Sequence, residues 1–366
     1  MIKVSLDEIV SGNELQFPIF DGFGRLLIGK GVAITDSMLD RLKKLGVRKV
    51  PIEEEGYEDI EEVDLVDQKS VIEANKALRD VSNDIKKNKI ADPEIIMDAA
   101  DKLISEILNK PKLSIAVNDV RIYRDYLLSH MTRTAIFSAI LGTSLGYNDY
   151  KLKTLMLSSY LHDIGLLLLE YQDENKIVSF EEHPQYKDHP TIGRDVVRRL
   201  GFSSVVANAI VQHHERLDGT GFPNSTKIIN DYAQIISIIS FFDSLTQPFV
   251  GEGYSPSEAL ELIMGNSGIM FDQDIVKIFV KKVMPYPPGT LVLLSNDIIC
   301  VVKDVNPSFV LRPTVKTYGI FENNEIERFE LDQIIEIDLV KELSLTIVGQ
   351  VNSKGVLKRF TNPESL

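Results

Sequence analysis

All six histidines of the 366-residue chain fall between His130 and His214. Imidazole is a frequent ligand of transition metals, and aspartate supplies hard oxygen donors that two ions can share. The positions that could do such chemistry are His130, the pair His162-Asp163, His183, His189, the pair His213-His214, and Asp243 beyond them. Taken singly, most have a structural reading. His130 lies in a helical run from Tyr126 to Leu145, where a core histidine is the default. His189 precedes Pro190 and suits the first turn of a helix, and His183, followed by Pro184, reads as a loop residue. The pair His162-Asp163 closes an apolar helix bearing Leu152, Leu155 and Met156. His213-His214 end a helix whose inward stripe includes Val206, Ala209 and Ile210, so at least one ring points inward. Asp243 sits in the segment Ala233 to Thr246, apolar on nearly every side, where a carboxylate is costly unless paired or bound to metal. The joint pattern reads as a metal site.

The elements that must position these residues are helical from Asp119 to Val283. One boundary is sharp: Ser255-Pro256-Ser257-Glu258 spells a capping box with proline at the first helical position. Before this region, residues 1–60 read as a small α+β unit. Short strands are expected around Phe17 to Phe20 and Arg25 to Ile28, joined by Asp21-Gly22-Phe23-Gly24. Thr35 then caps a helix with Met38, Leu39, Leu42 and Leu45 on one face and Gly46 at its end. Residues 61–112 read as a helical connector punctuated by Pro93 and Pro111, and the acidic run Glu53 to Asp67 as a linker or the exposed start of its first helix. The helical domain spans 113–285. Beyond Tyr286-Pro287-Pro288-Gly289 the helix period stops, and β-rich runs at Thr290 to Leu294, Ile298 to Val302 and Phe309 to Leu311 make residues 286–366 a β-rich appendage. The fold class is mainly α, a helical bundle with small units at either end.

Composition narrows the function classes. The net charge of −14 argues against duplex nucleic acid or an anionic membrane surface as partner. No apolar run approaches a membrane span and the start lacks a secretory pattern, so a cytoplasmic protein is expected. Cys300 is the only cysteine, cannot form an intrachain disulfide, and reads as a half-buried strand residue.

The ordered set His130, His162-Asp163, His189, His213-His214 and Asp243 resembles the HD superfamily of metal-dependent phosphohydrolases. The run from His213 to Pro223, HHERLDGTGFP, is similar to the HD-GYP signature HHExxDGxGYP, with Asp218, Gly219, Gly221, Phe222 and Pro223 as its loop. The likeness extends to His189-Pro190 with Gly193, to Asp243-Ser244-Leu245-Thr246 and to Phe271-Asp272, and covers roughly residues 113 to 285. The resemblance implies an HD-type bundle of about seven helices and two divalent transition-metal ions, iron or manganese. His130, His162, Asp163 and Asp243 would hold one ion, and Asp163, His189, His213 and His214 the other, with Asp163 as bridge and catalytic centre. It implies cyclic di-GMP as substrate and linear pGpG as product, and a diguanylate cyclase, another signalling protein or a second copy in a homodimer as candidate partners.

Four departures bear on activity. Phe222 stands for the signature tyrosine. Leu166 stands for the lysine of the usual HDIGK run, removing a cation that could touch the scissile phosphate. Gln247-Pro248-Phe249-Val250 replaces an arginine-bearing segment that helps hold the ligand. Tyr126 occupies the glutamate position of three-metal members, and Asp125 lies off that helical face. Arg133, Lys187, Arg194 or Arg216 could compensate as substrate contacts. Two other readings stay open: a catalytically weak or inactive module that senses cyclic di-GMP or binds a protein, and an HD phosphohydrolase for another phosphoester.

Overall fold

The computed structural model describes residues 2–6, 9, 11–12, 14–15, 19–20, 26–44, 47, 49–61, 65–110, 114–115, 126–169, 180–249, 253–322 and 325–351. The chain is mainly α, with a small strand unit at its start and an antiparallel sheet near its end.

The first unit contains β1 (Ile2–Ser5), β2 (Glu14–Leu15), β3 (Ile19–Phe20), β4 (Leu26–Ile28), β5 (Val32–Ala33), α1 (Asp36–Lys44) and β6 (Lys49–Ile52). Its pairs are all antiparallel: β1 with β6, β2 with β5 and β3 with β4. Thr35 Oγ1 accepts from the Met38 amide at 3.3 Å and so starts α1, which buries Leu39 and Leu42. The expected turn at Asp21-Gly22-Phe23-Gly24, with Phe17, Arg25, Leu45 and Gly46, lies outside the described residues.

The helical body follows: α2 (Gln68–Lys86), α3 (Glu94–Leu108), α4 (Tyr126–Ser144), α5 (Asp149–Leu161), α6 (Ile164–Leu168), α7 (His189–Arg199), α8 (Ser204–Gln212), α9 (Asp231–Thr246), α10 (Pro256–Gly265) and α11 (Gln273–Lys282). Side-chain caps begin several of these. Asp67 accepts from Lys69 N ahead of α2, Asn148 from Lys151 N ahead of α5, Asn230 from Tyr232 N ahead of α9, and the Ser255–Glu258 capping box forms at α10 as its residues dictate. Pro93 precedes α3 as its N-cap, whereas Pro111 lies outside the described residues. Helices α4 and α9 are buried around nearly their whole circumference and run through the middle of one core that extends from Leu65 to Val283. Helices α2 and α3 belong to this core. Asn75 Oδ1 of α2 accepts from Thr132 Oγ1 of α4 at 2.7 Å, and the Tyr160 hydroxyl of α5 donates to the Ala74 carbonyl of α2 at 2.5 Å. Among the described residues no helix is long and apolar enough to cross a membrane.

The closing sheet has the order β10-β9-β8-β7-β12, where β7 is Leu291–Leu294, β8 Ile298–Asp304, β9 Thr314–Glu322, β10 Glu325–Arg328 and β12 Ile347–Gln350; β11 (Glu336–Asp338) also pairs with β9. The strand expected at Phe309 to Leu311 is absent. Phe309 and Leu311 are exposed in a turn between Pro307 and Pro313, where the Arg312 amide donates to the Phe309 carbonyl at 2.8 Å. Prolines cannot donate to a ladder, so pairing resumes only at Thr314. Cys300 is fully buried within the sheet, and burial pushes its thiol up to about 12.

The two ends of the chain share a core. Residues from Ile2 to Ile60 pack with Leu291, Leu293, Ile299, Val301, Tyr318 and Val351. The Tyr57 hydroxyl donates to the Thr317 carbonyl at 2.6 Å, Lys316 Nζ contacts Asp59 at 2.6 Å, and Lys3 N donates to the Gly289 carbonyl at 3.0 Å. Tyr57 and Ile60, within the acidic run expected to be a linker, are thus buried against the sheet. Two points flanking the helical body are also tied. Ile115 N donates to the Lys282 carbonyl at 2.7 Å, and Met284 N to the Ile115 carbonyl at 2.8 Å.

Candidate metal centre

Helix ends deliver the candidate ligands to one point. His162 is the C-cap of α5, and the chain turns at Asp163, the N-cap of α6; His189 opens α7, and His213 is the C-cap of α8. His130 and Asp243 instead project from the buried helices α4 and α9. Two glycines allow the close approach. A Cβ on Gly165 would lie 2.1 Å from the His189 carbonyl oxygen, and one on Gly193 would meet an Ile210 methyl at 3.1 Å, so α6 rests directly on the first turn of α7.

Asp163 sits at the centre. Its Oδ2 lies 3.3 Å from His162 Nε2 and 3.6 Å from His130 Nε2, while Oδ1 lies 3.1 Å from His189 Nε2 and 3.4 Å from His213 Nε2. Oδ1 is buried and accepts no hydrogen bond of acceptable geometry among the described residues. Such an orphaned carboxylate oxygen facing imidazole nitrogens fits a cation-binding centre. Two donor groups result: His130, His162 and Asp163 form one, and Asp163, His189, His213 and His214 the other, each compact enough to hold an ion.

Hydrogen bonds set the tautomers. The Nδ1 atoms of His162, His189 and His213 donate to the carbonyls of Ser159, Tyr186 and Ile210 at 2.7, 2.5 and 2.6 Å. That leaves each Nε2 turned toward Asp163, able to donate a proton to the carboxylate in the ion-free site and to offer a lone pair to a bound ion, as a metal-binding histidine needs. Burial, reinforced by neighbouring rings, holds the His214 imidazole well below its ordinary value, and burial pulls His213 down to about 4, so both rings are neutral near pH 7. Burial works to raise the Asp163 carboxyl, but His162 and the other facing rings outweigh it and keep the group ionised.

Asp243 is placed differently from the other candidates. Its oxygens accept from Arg133 Nε and Nη2 at 2.7 and 2.8 Å and from His130 Nδ1 at 2.7 Å, and it belongs to neither compact donor group. It holds the His130 ring, whose Nε2 points to Ser240 Oγ at 3.2 Å and His162 Nε2 at 3.2 Å. The Arg133 charge holds the Asp243 carboxyl well below the usual range against the opposing effect of burial. Arg133, a candidate substrate contact, is therefore occupied by a bidentate ion pair. Of the other candidate cations, Arg194 pairs with Asp195 at 2.9 Å, Lys187 is exposed in the turn before His189, and Arg216 is half-buried in the loop after His214. His183 accepts from Gln185 N at 3.1 Å, outside both donor groups.

The departures from the signature also have places. Leu166 is 3% exposed and packs into the main core. The Tyr126 ring lies parallel to that of His130, at 5.9 Å between centroids, and meets Phe180 and Phe249; burial pushes its phenol up. Asp125 lies outside the described residues. In the loop, Asp218 accepts from Thr220 N and Oγ1 at 2.9 and 2.7 Å, Gly219 has φ +86°, and Phe222, followed by a cis bond to Pro223, stacks on His214. Sequence reasoning assigned no role to Ser240 or Glu215 and paired Arg133 with nothing. The spacing signal existed: His130 and Arg133, like Ser240 and Asp243, are three residues apart and so share a helical face.

A family model described as HD domain matches residues 118–275. A protein from Pseudomonas aeruginosa named cyclic di-GMP phosphodiesterase is 25% identical over 253 residues, covering 67% of this chain and 60% of that protein. One of the same name from Borreliella burgdorferi is 25% identical over 211 residues, covering 55% of each. A solved HDG"Y"P protein from Bdellovibrio bacteriovorus aligns with a TM-score of 0.46 and 20% identity, over 76% of this chain and 97% of that one. The chain thus spans 60% and 55% of the lengths of the two relatives from Pseudomonas and Borreliella. The HHERLDGTGFP run falls within the stretch 118–275 that matches the HD domain model, and it is similar to the HD-GYP signature.

Proposed function

We propose that the protein is a phosphodiesterase that hydrolyses cyclic di-GMP to linear pGpG with two divalent transition-metal ions, iron or manganese. The observation that carries this reading is the pair of donor groups meeting at Asp163. His130, His162 and Asp163 would hold one ion, and Asp163, His189, His213 and His214 the other. Bound ions would acidify a water and offset charge on the phosphoryl oxygens. Asp163 Oδ1 and Oδ2 each face two imidazoles, so one carboxylate can serve both groups. Asp243 fixes the His130 ring through Nδ1 and is itself charge-balanced by Arg133; direct ligation by Asp243 would require a change in that pairing. The names of the relatives supply the choice of cyclic di-GMP.

A second reading, binding without turnover, draws on Leu166 and Arg133. The first is packed in the core where the signature has a lysine, and the second is committed to Asp243. One experiment separates the two. The protein is purified without oxygen, loaded with iron or manganese, assayed for metal per chain, and incubated with a panel of cyclic dinucleotides while products are followed by chromatography. Two ions with pGpG accumulating from cyclic di-GMP supports the phosphodiesterase. Metal and tight nucleotide binding with no product favours the binding module, and turnover of a different phosphoester redirects the substrate assignment.

A further inference from the structure

Three of the histidines at the centre are aimed by the same device, an Nδ1 hydrogen bond to the carbonyl three residues earlier. His214 is not. Among the described residues no hydrogen bond orients its ring, which is held by other rings: Phe222 at 4.5 Å and 19° between planes, His213 at 4.1 Å and 44°, His189 at 5.0 Å and 89°, and Tyr186 at 5.9 Å and 58°. Phe222 and Tyr186 come from outside the donor set, and of the two Phe222 is the nearer and the one that lies nearly parallel to the His214 ring.

The backbone fixes Phe222 in that place. Phe222 N donates to the His214 carbonyl at 3.2 Å. Gly221 passes so near that a Cβ there would lie 2.4 Å from the same carbonyl oxygen and 2.5 Å from Arg216 N. Glu215, 1% exposed, accepts from Asn224 N at 2.7 Å and Thr226 N at 3.0 Å, one amide on each carboxylate oxygen. The loop from Glu215 to Thr226 therefore closes back on the residue beside His214.

We infer that Phe222 is a positioning residue for His214, aiming its imidazole by ring stacking, and that Glu215 fastens the loop that presents Phe222. This rests on the reading of the His and Asp cluster as a metal centre. It assigns the work to the aromatic ring at position 222 rather than to a hydroxyl, so phenylalanine serves where the signature has tyrosine. A misaimed His214 weakens one donor group and leaves the other intact, since among the described residues the Phe222 ring meets those of Tyr186, His189 and His214, whereas His130 and His162 belong to the other group.

The test is a titration of metal-stripped, full-length protein with manganese, with free ion followed by its electron paramagnetic resonance signal and fold checked by circular dichroism. Phe222→Leu keeps apolar bulk without a flat ring. It is expected to bind one ion as wild type does and the other about 10–100-fold more weakly, the usual effect of losing a residue that orients a ligand. Phe222→Tyr is expected to restore the wild-type isotherm, and Glu215→Gln to weaken the same ion, which keeps the inference testable should Phe222→Leu not fold. Unchanged binding of both ions by Phe222→Leu, or a tyrosine variant as weak as the leucine one, overturns the inference while leaving the metal centre standing. Equal weakening of both ions also overturns it, since that is what general loop damage does. Wild-type protein that takes up no ion overturns the metal reading itself, and the inference with it.

Discussion

Replacing Gly165 by alanine adds one methyl group where α6 meets α7. The new Cβ would stand 2.1 Å from the His189 carbonyl oxygen, 2.9 Å from its carbon and 3.1 Å from Gly193 N, all backbone atoms that cannot swing aside. Restoring an ordinary 3.4 Å contact requires a displacement of about 1.3 Å between the two elements. Asp163 is two residues from Gly165, and His189 carries both the clashing carbonyl and the ring 3.1 Å from Asp163 Oδ1. The displacement therefore falls on the contact that defines the second donor group. Overpacking of this kind costs about 1–3 kcal/mol of stability, and an error of about 1 Å in a reacting constellation costs about 100-fold in rate. The expected result is a folded protein with weaker metal binding and turnover reduced by about two orders of magnitude. Gly193→Ala is the control, because its Cβ meets the Ile210 Cγ2 methyl at 3.1 Å, about 0.3 Å short of an ordinary 3.4 Å contact rather than about 1.3 Å; its effect should be smaller. Chemical denaturation, metal titration and product chromatography on both variants make the assay. A Gly165→Ala protein with wild-type metal affinity and turnover would refute the argument that this glycine sets the distance from Asp163 to His189.

Further outcomes follow from the same geometry. Arg133→Ala leaves the fully buried Asp243 carboxylate with His130 as its remaining ring partner, a change expected to cost about 3–5 kcal/mol; Arg133→Ala with Asp243→Asn should cost less, and urea denaturation of the single and double variants checks the order. Acid should destabilise the metal-stripped protein through His213. Its folded value of about 4 lies below the ordinary 6.5, so the unfolded chain binds more protons between them and stability is lost as pH falls through that window. His214 is shifted the same way and His162 the opposite way, so His213→Asn isolates the effect: at pH 5 it should remove about 2 kcal/mol of the acid-induced loss seen in wild type. Equal loss of urea midpoint between pH 7 and 5 in both proteins would contradict that assignment.

Much of the scaffold was legible because its signals are local. The capping box at Ser255–Glu258, the proline in the first turn after His189 and the all-round apolar surface of α9 each specify an element without reference to the rest of the chain. What stayed hidden depends on partners far away in sequence. Tyr57 and Thr317 are 260 residues apart, and no periodicity announces that the opening strands complete a core with the closing sheet. At Phe309 to Leu311 apolar residues mimic a strand, but the flanking prolines deny the ladder and the side chains stay exposed. The centre follows the same division. Residue types and order placed Asp163 among the histidines, whereas the engagement of Asp243 by Arg133 depends on how α4 and α9 face each other.

The most direct test of the central idea, one carboxylate serving two ions, is a metal count on wild type and Asp163→Ala prepared and loaded side by side with manganese. The account predicts two ions per wild-type chain, hydrolysis of cyclic di-GMP, and in the variant both the loss of turnover and the loss of metal from both positions. A variant that keeps its full complement of metal and near-normal activity would contradict it.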